Sequence, residues 1–205
     1  MSLLDHPHTR YEKRFHKEGY DVIVGVDEVG RGAWAGPIIA GAVAMPLRPR
    51  IYGIRDSKQL SKKKREELAK RIKEIAVAWA IGIVSHSEID AIGIGPANAL
   101  AMKKSVELLP VEADYVLLDA FNIVGLQAKQ SAIAHGDAMV YSIAAASIVA
   151  KVMRDDLMTE YHEQHPEYSF NTNMGYGTEA HQHALDAYGL TPIHRTSFHP
   201  MKTMV

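Results

Sequence analysis

The chain has 205 residues, 47% of them hydrophobic, which is enough apolar material for a substantial core at a length that favours one domain. It contains no Cys, which removes disulfides, thiolate metal sites and zinc fingers and leaves oxygen or His to hold any metal. A formal net charge of −1 rules out attachment to nucleic acid by bulk charge, so such a partner must be met by a local basic patch.

The sequence has neither an apolar run of spanning length nor a basic-then-apolar leader, and the expectation is a cytoplasmic protein with no membrane contact. Residues 1–20 are polar, with a short helix expected from Tyr11 to Glu18 and stopped by Gly19. The next stretch, Val22 to Gly36, carries the most information. Val22, Val24 and Val26 alternate with Ile23, Gly25 and Asp27, the period of a strand, and Asp27 and Glu28 stand at its exit just before Gly30-Arg31-Gly32. An ordinary polar turn also accounts for the acids. The flanking glycines, however, expose backbone N–H groups beside the Arg31 guanidinium, which suits a phosphate or a sugar hydroxyl better than packing. Neighbours on a strand face opposite sides, so Asp27 and Glu28 can share one ion only if the strand bends or ends between them, and Gly30 is the expected bend.

Pro37 opens a second apolar strand, Ile38 to Ala44, the hairpin partner of the first. Asp56-Ser57-Lys58 then precedes a helix capped by Ser61, with Leu68, Ile72 and Ile75 on its apolar face. The cations of that helix read as a solvated face with pairs such as Glu66 to Lys70 and Glu67 to Arg71, whereas Lys58 sits in the loop, free to reach a phosphate. Ala76 to Val84 reads as a third strand with Trp79 in the core. A helical stretch from Ser87 is interrupted by Gly93, Gly95 and Pro96, and a stronger helix follows from Ala97 to Leu109.

Tyr115 to Asp119 is a second apolar strand that ends in an acid. In a parallel sheet the carboxyl ends of buried strands form the usual ligand edge. A strand at Leu126 to Gln130 leads to His135-Gly136-Asp137 and a long helix that is small and apolar on nearly every side, closed by Pro166. Asp137 is expected both to cap that helix and to join the other acids. Gly175-Tyr176-Gly177 frees an aromatic ring for stacking, although a plain turn fits as well. Thr178 caps a last helix that runs to about Tyr188 and is ended by Gly189.

Asp27, Glu28, Asp119 and Asp137 together make a hard oxygen site suited to Mg²⁺ or Mn²⁺ rather than Zn²⁺. Two such ions, roughly 3.5–4 Å apart, can activate a water and stabilise the departing oxygen in an in-line displacement at phosphorus. The segments carrying this chemistry resemble ribonuclease HII, the type 2 ribonuclease H family. They are Asp27-Glu28-Val29-Gly30-Arg31-Gly32 with Ala35-Gly36-Pro37, Asp56-Ser57-Lys58 with Leu60, Leu118-Asp119, Gly136-Asp137, Ser142 to Ser147 with Ala150-Lys151-Val152 and Arg154-Asp155, Gly175-Tyr176-Gly177-Thr178, and His194-Arg195 with Ser197-Phe198. They fall in the family's order from residue 22 to residue 198.

The resemblance implies an α/β, ribonuclease H-like fold, a mixed five-stranded sheet flanked by helices with a small C-terminal helical extension. It implies one catalytic domain over 1–205, with its helical part from about 155 to 205, acting as a monomer. The implied activity is metal-dependent endonucleolytic hydrolysis of RNA paired with DNA, and cutting 5′ of single ribonucleotides in duplex DNA, which leaves a 5′-phosphate and a 3′-hydroxyl. Such an enzyme serves ribonucleotide removal and primer removal. By position, Asp27, Glu28, Asp119 and Asp137 are the implied catalytic and metal-binding carboxylates. Gly30, Arg31 and Gly32 read the ribose 2′-hydroxyl, Tyr176 packs on the adjoining sugar, and Lys58 is a phosphate contact. The 2′-hydroxyl is the group that separates RNA from DNA.

Two positions depart from the family pattern: His135 stands where Lys usually precedes Gly-Asp, and Ala33-Trp34 follows Gly-Arg-Gly where Pro is frequent. The sister ribonuclease HIII usually carries an extra N-terminal domain, for which a first strand beginning by residue 22 leaves no room. A non-catalytic hybrid binder, a protein using its acids for a structural metal, and a generic two-metal phosphatase are the rival readings. Retention of all four acids argues against the first two, and indifference to the 2′-hydroxyl would mark the third.

Overall fold

The computed structural model describes residues 6–204. Helix α1, Arg10–Lys17, precedes β1, Ile23–Val29, which pairs antiparallel with β2, Ile38–Ala44. Helix α2, Lys62–Ile75, leads to β3, Ala78–Val84, and a pair of helices, α3 (His86–Ile92) and α4 (Ile94–Glu107), leads to β4, Tyr115–Asp119. β5, Lys129–Ile133, is followed by the short α5, Gly136–Met139, the long α6, Tyr141–Gln164, and the smaller α7, Phe170–Asn173, and α8, Glu179–Tyr188. The five strands form one mixed sheet in the order β3-β2-β1-β4-β5, with β1, β4 and β5 parallel to one another and β2 and β3 antiparallel to their neighbours.

The alternation of β1 assigns its two faces. Val24 and Val26 join the cluster around α4, while Gly25 lies against α6 so closely that a Cβ there would overlap the Ser142–Ile143 backbone. β2 repeats the pattern: Ala40 and Ala42 face α4, and Gly41 faces Ala146 of α6. The small residues of α6 let the helix settle directly on the sheet. Ala144, Ala145, Ala146, Ile148 and Val149 are fully buried and share a cluster with Leu68 and Ile72 of α2. Beyond the sheet, Met158 packs with Phe170, Leu185, Ile193 and Met201 in a separate C-terminal cluster.

Caps follow the sequence. Ser61 accepts from the Lys64 N–H at the start of α2, Thr178 accepts from the His181 N–H at the start of α8, and Gly93, at φ 82°, separates α3 from α4.

Five expectations are corrected. β5 lies at Lys129–Ile133 rather than Leu126–Gln130, because its register against β4 pairs Tyr115 with Lys129 and Asp119 with Ile133. The long helix starts at Tyr141 instead of directly after Asp137. Val140 is extended there, bridged to His8, and the buried Glu12 carboxylate of α1 accepts from both the N–H and the hydroxyl of Ser142. Asp137 therefore lies inside the first turn of α5 and does not cap the long helix. Trp79 is not core: it is 37% exposed on the edge strand β3, with Lys73 Nζ 4.9 Å from its ring. On α2, Glu67 pairs with Lys64 at 2.9 Å instead of Arg71.

Candidate active site

The parallel register of β1 and β4 pairs Val26 with Leu118, so the next residues, Asp27 and Asp119, stand side by side on the face covered by α6. The expected bend between Asp27 and Glu28 is absent. β1 continues to Val29, which pairs with Ile39, and Glu28 falls on the opposite face, the one that Val24 and Val26 turn to α4. β1 outruns β4 at this edge, since β4 ends at Asp119. Asp137 arrives in the first turn of α5. The Gly136 N–H donates to Asp119 Oδ1 at 2.8 Å, tying the start of α5 to the end of β4.

The four acids thus reach one edge of the sheet on three chain segments. Among the described residues, no three His, Cys, Asp or Glu side chains converge tightly enough to enclose an ion. Their electrostatics are nevertheless coupled. Burial pushes the Asp27 carboxyl well above the ordinary range, the Glu28 charge adds to the rise, and the Ser147 hydroxyl opposes it. Glu28 is raised by burial and then by Asp119, with Arg31 acting against both. Asp119 is raised by burial, which the Gly136 N–H counters, and Asp137 raises it further.

In donor chemistry, this set suits Mg²⁺ or Mn²⁺. It is all carboxylate oxygen, and a divalent cation would reverse the field that holds protons on these groups.

Lys58 lies in a short turn before α2, its Nζ 3.7 Å from Asp137 Oδ2 on a side chain that is 81% exposed. Burial works against its charge, but Asp56, Asp137, Asp27 and Asp119 together raise its affinity for a proton. The turn is tied to the acids from below, for Ser57 Oγ is 3.0 Å from Ser147 Oγ.

Gly30-Arg31-Gly32 continues from β1 with Arg31 and Gly32 exposed. The Gly175-Tyr176-Gly177 loop lies against it: the Gly175 carbonyl accepts from the Trp34 and Ala35 N–H groups at 2.7 and 3.2 Å. Trp34 fills the space beside Gly177, where any Cβ would overlap the indole, and its ring lies 5.3 Å from His181. That is the structural use of the Ala33-Trp34 departure. His135 is exposed and left-handed, at φ 56°.

The sequence reading gave no role to Arg154 and Arg195. Both are fully buried, and each donates three hydrogen bonds to backbone carbonyls around the two glycine loops. Nothing in composition marks these two arginines as interior. The available signal was the glycine loops themselves, whose carbonyls need donors once the backbone leaves regular structure.

Comparison with known proteins decides the family. The sequence model described as Ribonuclease HII matches residues 24–201. A ribonuclease HII from Listeria monocytogenes serotype 4a is 49% identical over 193 residues, covering 94% of this chain and 74% of the relative. The chain belongs to the ribonuclease HII family. As a family member it is a metal-dependent endoribonuclease that acts on RNA–DNA hybrids and on ribonucleotides embedded in DNA. Solved structures agree on the fold. Ribonuclease H2 from Pyrococcus horikoshii OT3 superposes with a TM-score of 0.78 at 24% identity, over 90% of this chain and 97% of that one. Bst-RNase HIII in complex with Mn²⁺ gives 0.67 at 21% identity, over 92% of this chain and 70% of that one. Among the described residues, no helix is long and apolar enough to cross a membrane.

Proposed function

We propose that this ribonuclease HII chain cuts the phosphodiester on the 5′ side of a ribonucleotide in duplex DNA, leaving a 5′-phosphate and a 3′-hydroxyl. Asp27, Glu28, Asp119 and Asp137 are the reactive carboxylates, and the enzyme works as a monomeric single domain in the cytoplasm. One observation carries the reading: the parallel neighbours β1 and β4 set Asp27 beside Asp119 at the sheet edge, just before the glycine loop in which Arg31 and Gly32 are exposed.

Bound at these acids, Mg²⁺ or Mn²⁺ supplies activation of water and charge stabilisation at phosphorus, in the manner of two-metal nucleases. The protein's own residues do the rest. Asp27 and Asp119 fix the edge of the site on rigid, paired strands. Asp137 is held from α5, with Lys58 beside it to draw in a phosphate. The backbone of Gly30, Arg31 and Gly32 offers N–H donors to a 2′-hydroxyl, a group that DNA lacks, while the Gly30 and Arg31 carbonyls are held by Arg195. Tyr176, half-buried beside them, presents its ring to the neighbouring sugar.

The test is a labelled DNA duplex with one ribonucleotide, incubated with Mg²⁺ or Mn²⁺ beside an all-DNA duplex and an EDTA control. Metal-dependent cutting 5′ of the ribonucleotide, with the all-DNA duplex intact, is expected. Cutting confined to continuous hybrids would remove junction recognition from the proposal.

A further inference from the structure

Arg154 and Arg195 head the largest side chains with no exposure, and neither forms an ion pair among the described residues. Placing a cation in the interior without a counterion costs several kcal/mol, and an apolar side chain would fill the same space more cheaply. Their surroundings explain what the cations are for. Arg195 donates from Nε to the Gly36 carbonyl at 3.0 Å, from Nη1 to Arg31 at 3.0 Å and from Nη2 to Gly30 at 2.8 Å. Arg154 donates from Nε to Pro37 at 3.1 Å, from Nη1 to Met174 at 2.8 Å and from Nη2 to Ala35 at 3.2 Å.

Five of these six carbonyls belong to the loop from Gly30 to Pro37, and the sixth enters the Gly175-Tyr176-Gly177 loop. The faces of the guanidinium groups are used as well. Tyr176 lies over Arg154 with its ring centre 5.4 Å from Cζ, and Phe198 lies over Arg195 at 5.1 Å. A planar fork with fixed donor directions can set the distance between two loops; a lysine ammonium, with three freely rotating donors, cannot.

We propose that Arg154 and Arg195 are positioning residues that fix the gap between the Gly30-Arg31-Gly32 backbone and the Tyr176 ring, and so set the preference for a ribonucleotide followed by DNA over a continuous hybrid. The inference rests on the reading that these two loops face the ribose and its neighbour. At a junction one sugar carries a 2′-hydroxyl and the next does not. A polar backbone and an aromatic ring match that order only at one separation. A looser gap accepts a hydroxyl on both sugars, because an unmatched polar group against a ring is penalised only where water is excluded.

The test measures kcat and KM on a duplex with one ribonucleotide and on a continuous hybrid, at a temperature where circular dichroism shows each variant folded. Arg195→Lys keeps the charge and loses the fork. The ratio of kcat/KM for the single ribonucleotide over the hybrid should fall by about tenfold, equivalent to about 1.4 kcal/mol, with hybrid cleavage little changed. An equal fall on both substrates would show a merely structural role and overturn the proposal. Should Arg195→Lys not fold, Phe198→Leu removes the stacked ring and leaves the guanidinium, and an unchanged ratio in that variant overturns the proposal equally. Tyr176→Ala separates the two levels. If it leaves the ratio intact, the reading of the loops fails; if it lowers the ratio while Arg195→Lys does not, only the arginine inference fails.

Discussion

Gly30 and Arg154 are in direct contact: the glycine stands at φ 91°, and a Cβ on it would overlap the Arg154 guanidinium. Two penalties coincide there, a left-handed backbone and an occupied side-chain volume. Gly30→Ala should therefore lose about 2–4 kcal/mol of stability, measured by urea denaturation. Gly32 is the internal control. Nothing lies within 4 Å of its Cβ position and its φ is not left-handed, so Gly32→Ala should stay within about 0.5 kcal/mol of wild type. A raised KM for ribonucleotide-containing duplex in that folded variant would report close approach of substrate to the Gly32 backbone. An unchanged KM would remove Gly32 from the recognition surface.

Gly25 answers to packing rather than to conformation. It pairs with Val43 on one side and Leu117 on the other, and the α6 backbone at Ser142 and Ile143 occupies the place of a side chain. Neither a central strand nor a buried helix can move alone, since interiors are packed to crystal-like density. Gly25→Ala should cost more than about 3 kcal/mol and lower soluble yield. A variant that melted like wild type would mean that α6 can slide on the sheet.

Strand period and cap chemistry made β1, β2, α2, β4 and α8 legible in the sequence, because each is defined by a local pattern. The resemblance to ribonuclease HII supplied the sheet as a whole. What escaped was set by contacts distant in the chain. β5 is polar and at an edge, with its bounds fixed by pairing to β4, so its apolar approach at Leu126 misled. The break before α6 depends on His8 and Glu12, more than a hundred residues away. The same holds at the site. The acids were legible as strand-ending carboxylates, but the opposite facing of Asp27 and Glu28 follows from β2 carrying β1 on to Val29. Arg154 and Arg195 have no role legible in the sequence until the carbonyls around them are known.

Stability should fall on mild acidification, and a buried histidine pair gives the reason. The Thr191 N–H donates to His194 Nδ1 at 2.9 Å, so the His194 proton sits on Nε2, which donates to His181 Nε2 at 3.0 Å. His181 is then protonated on Nδ1, which donates to the Tyr176 carbonyl at 3.0 Å. Only neutral rings satisfy this chain. Burial, then the neighbouring His181, with His165 and His86 farther off, push His194 down to about 4, and burial lowers His181 as well. The unfolded chain binds these protons first, so stability is complete above the ordinary histidine value and is lost as pH falls from about 6.5 towards 4. The loss from this pair is roughly 2–3 kcal/mol. Urea midpoints across that range should show it, and His194→Gln should start lower at pH 7 and respond less. An equal slope in the variant would assign the acid sensitivity to carboxylates instead.

Asp27 is expected to trade stability for activity. Its carboxyl is buried on a central strand beside Glu28, and both facts hold its proton affinity above that of the unfolded chain. The native state then binds the proton more tightly, so stability falls as pH rises through the interval above the ordinary carboxylate value. Asn has the same shape and no such loss. In EDTA at pH 8, Asp27→Asn should therefore melt above wild type, while cleavage in Mg²⁺ or Mn²⁺ drops by at least about a hundredfold. Adding either ion should raise the wild-type midpoint, through a stabilisation of about 2.7 kcal/mol at a hundred times the dissociation constant, and raise the variant's less. A variant that melts lower than wild type in EDTA would make the Asp27 carboxylate a structural asset, held for the hydrogen bond it accepts from the Glu28 N–H rather than tolerated for a cation.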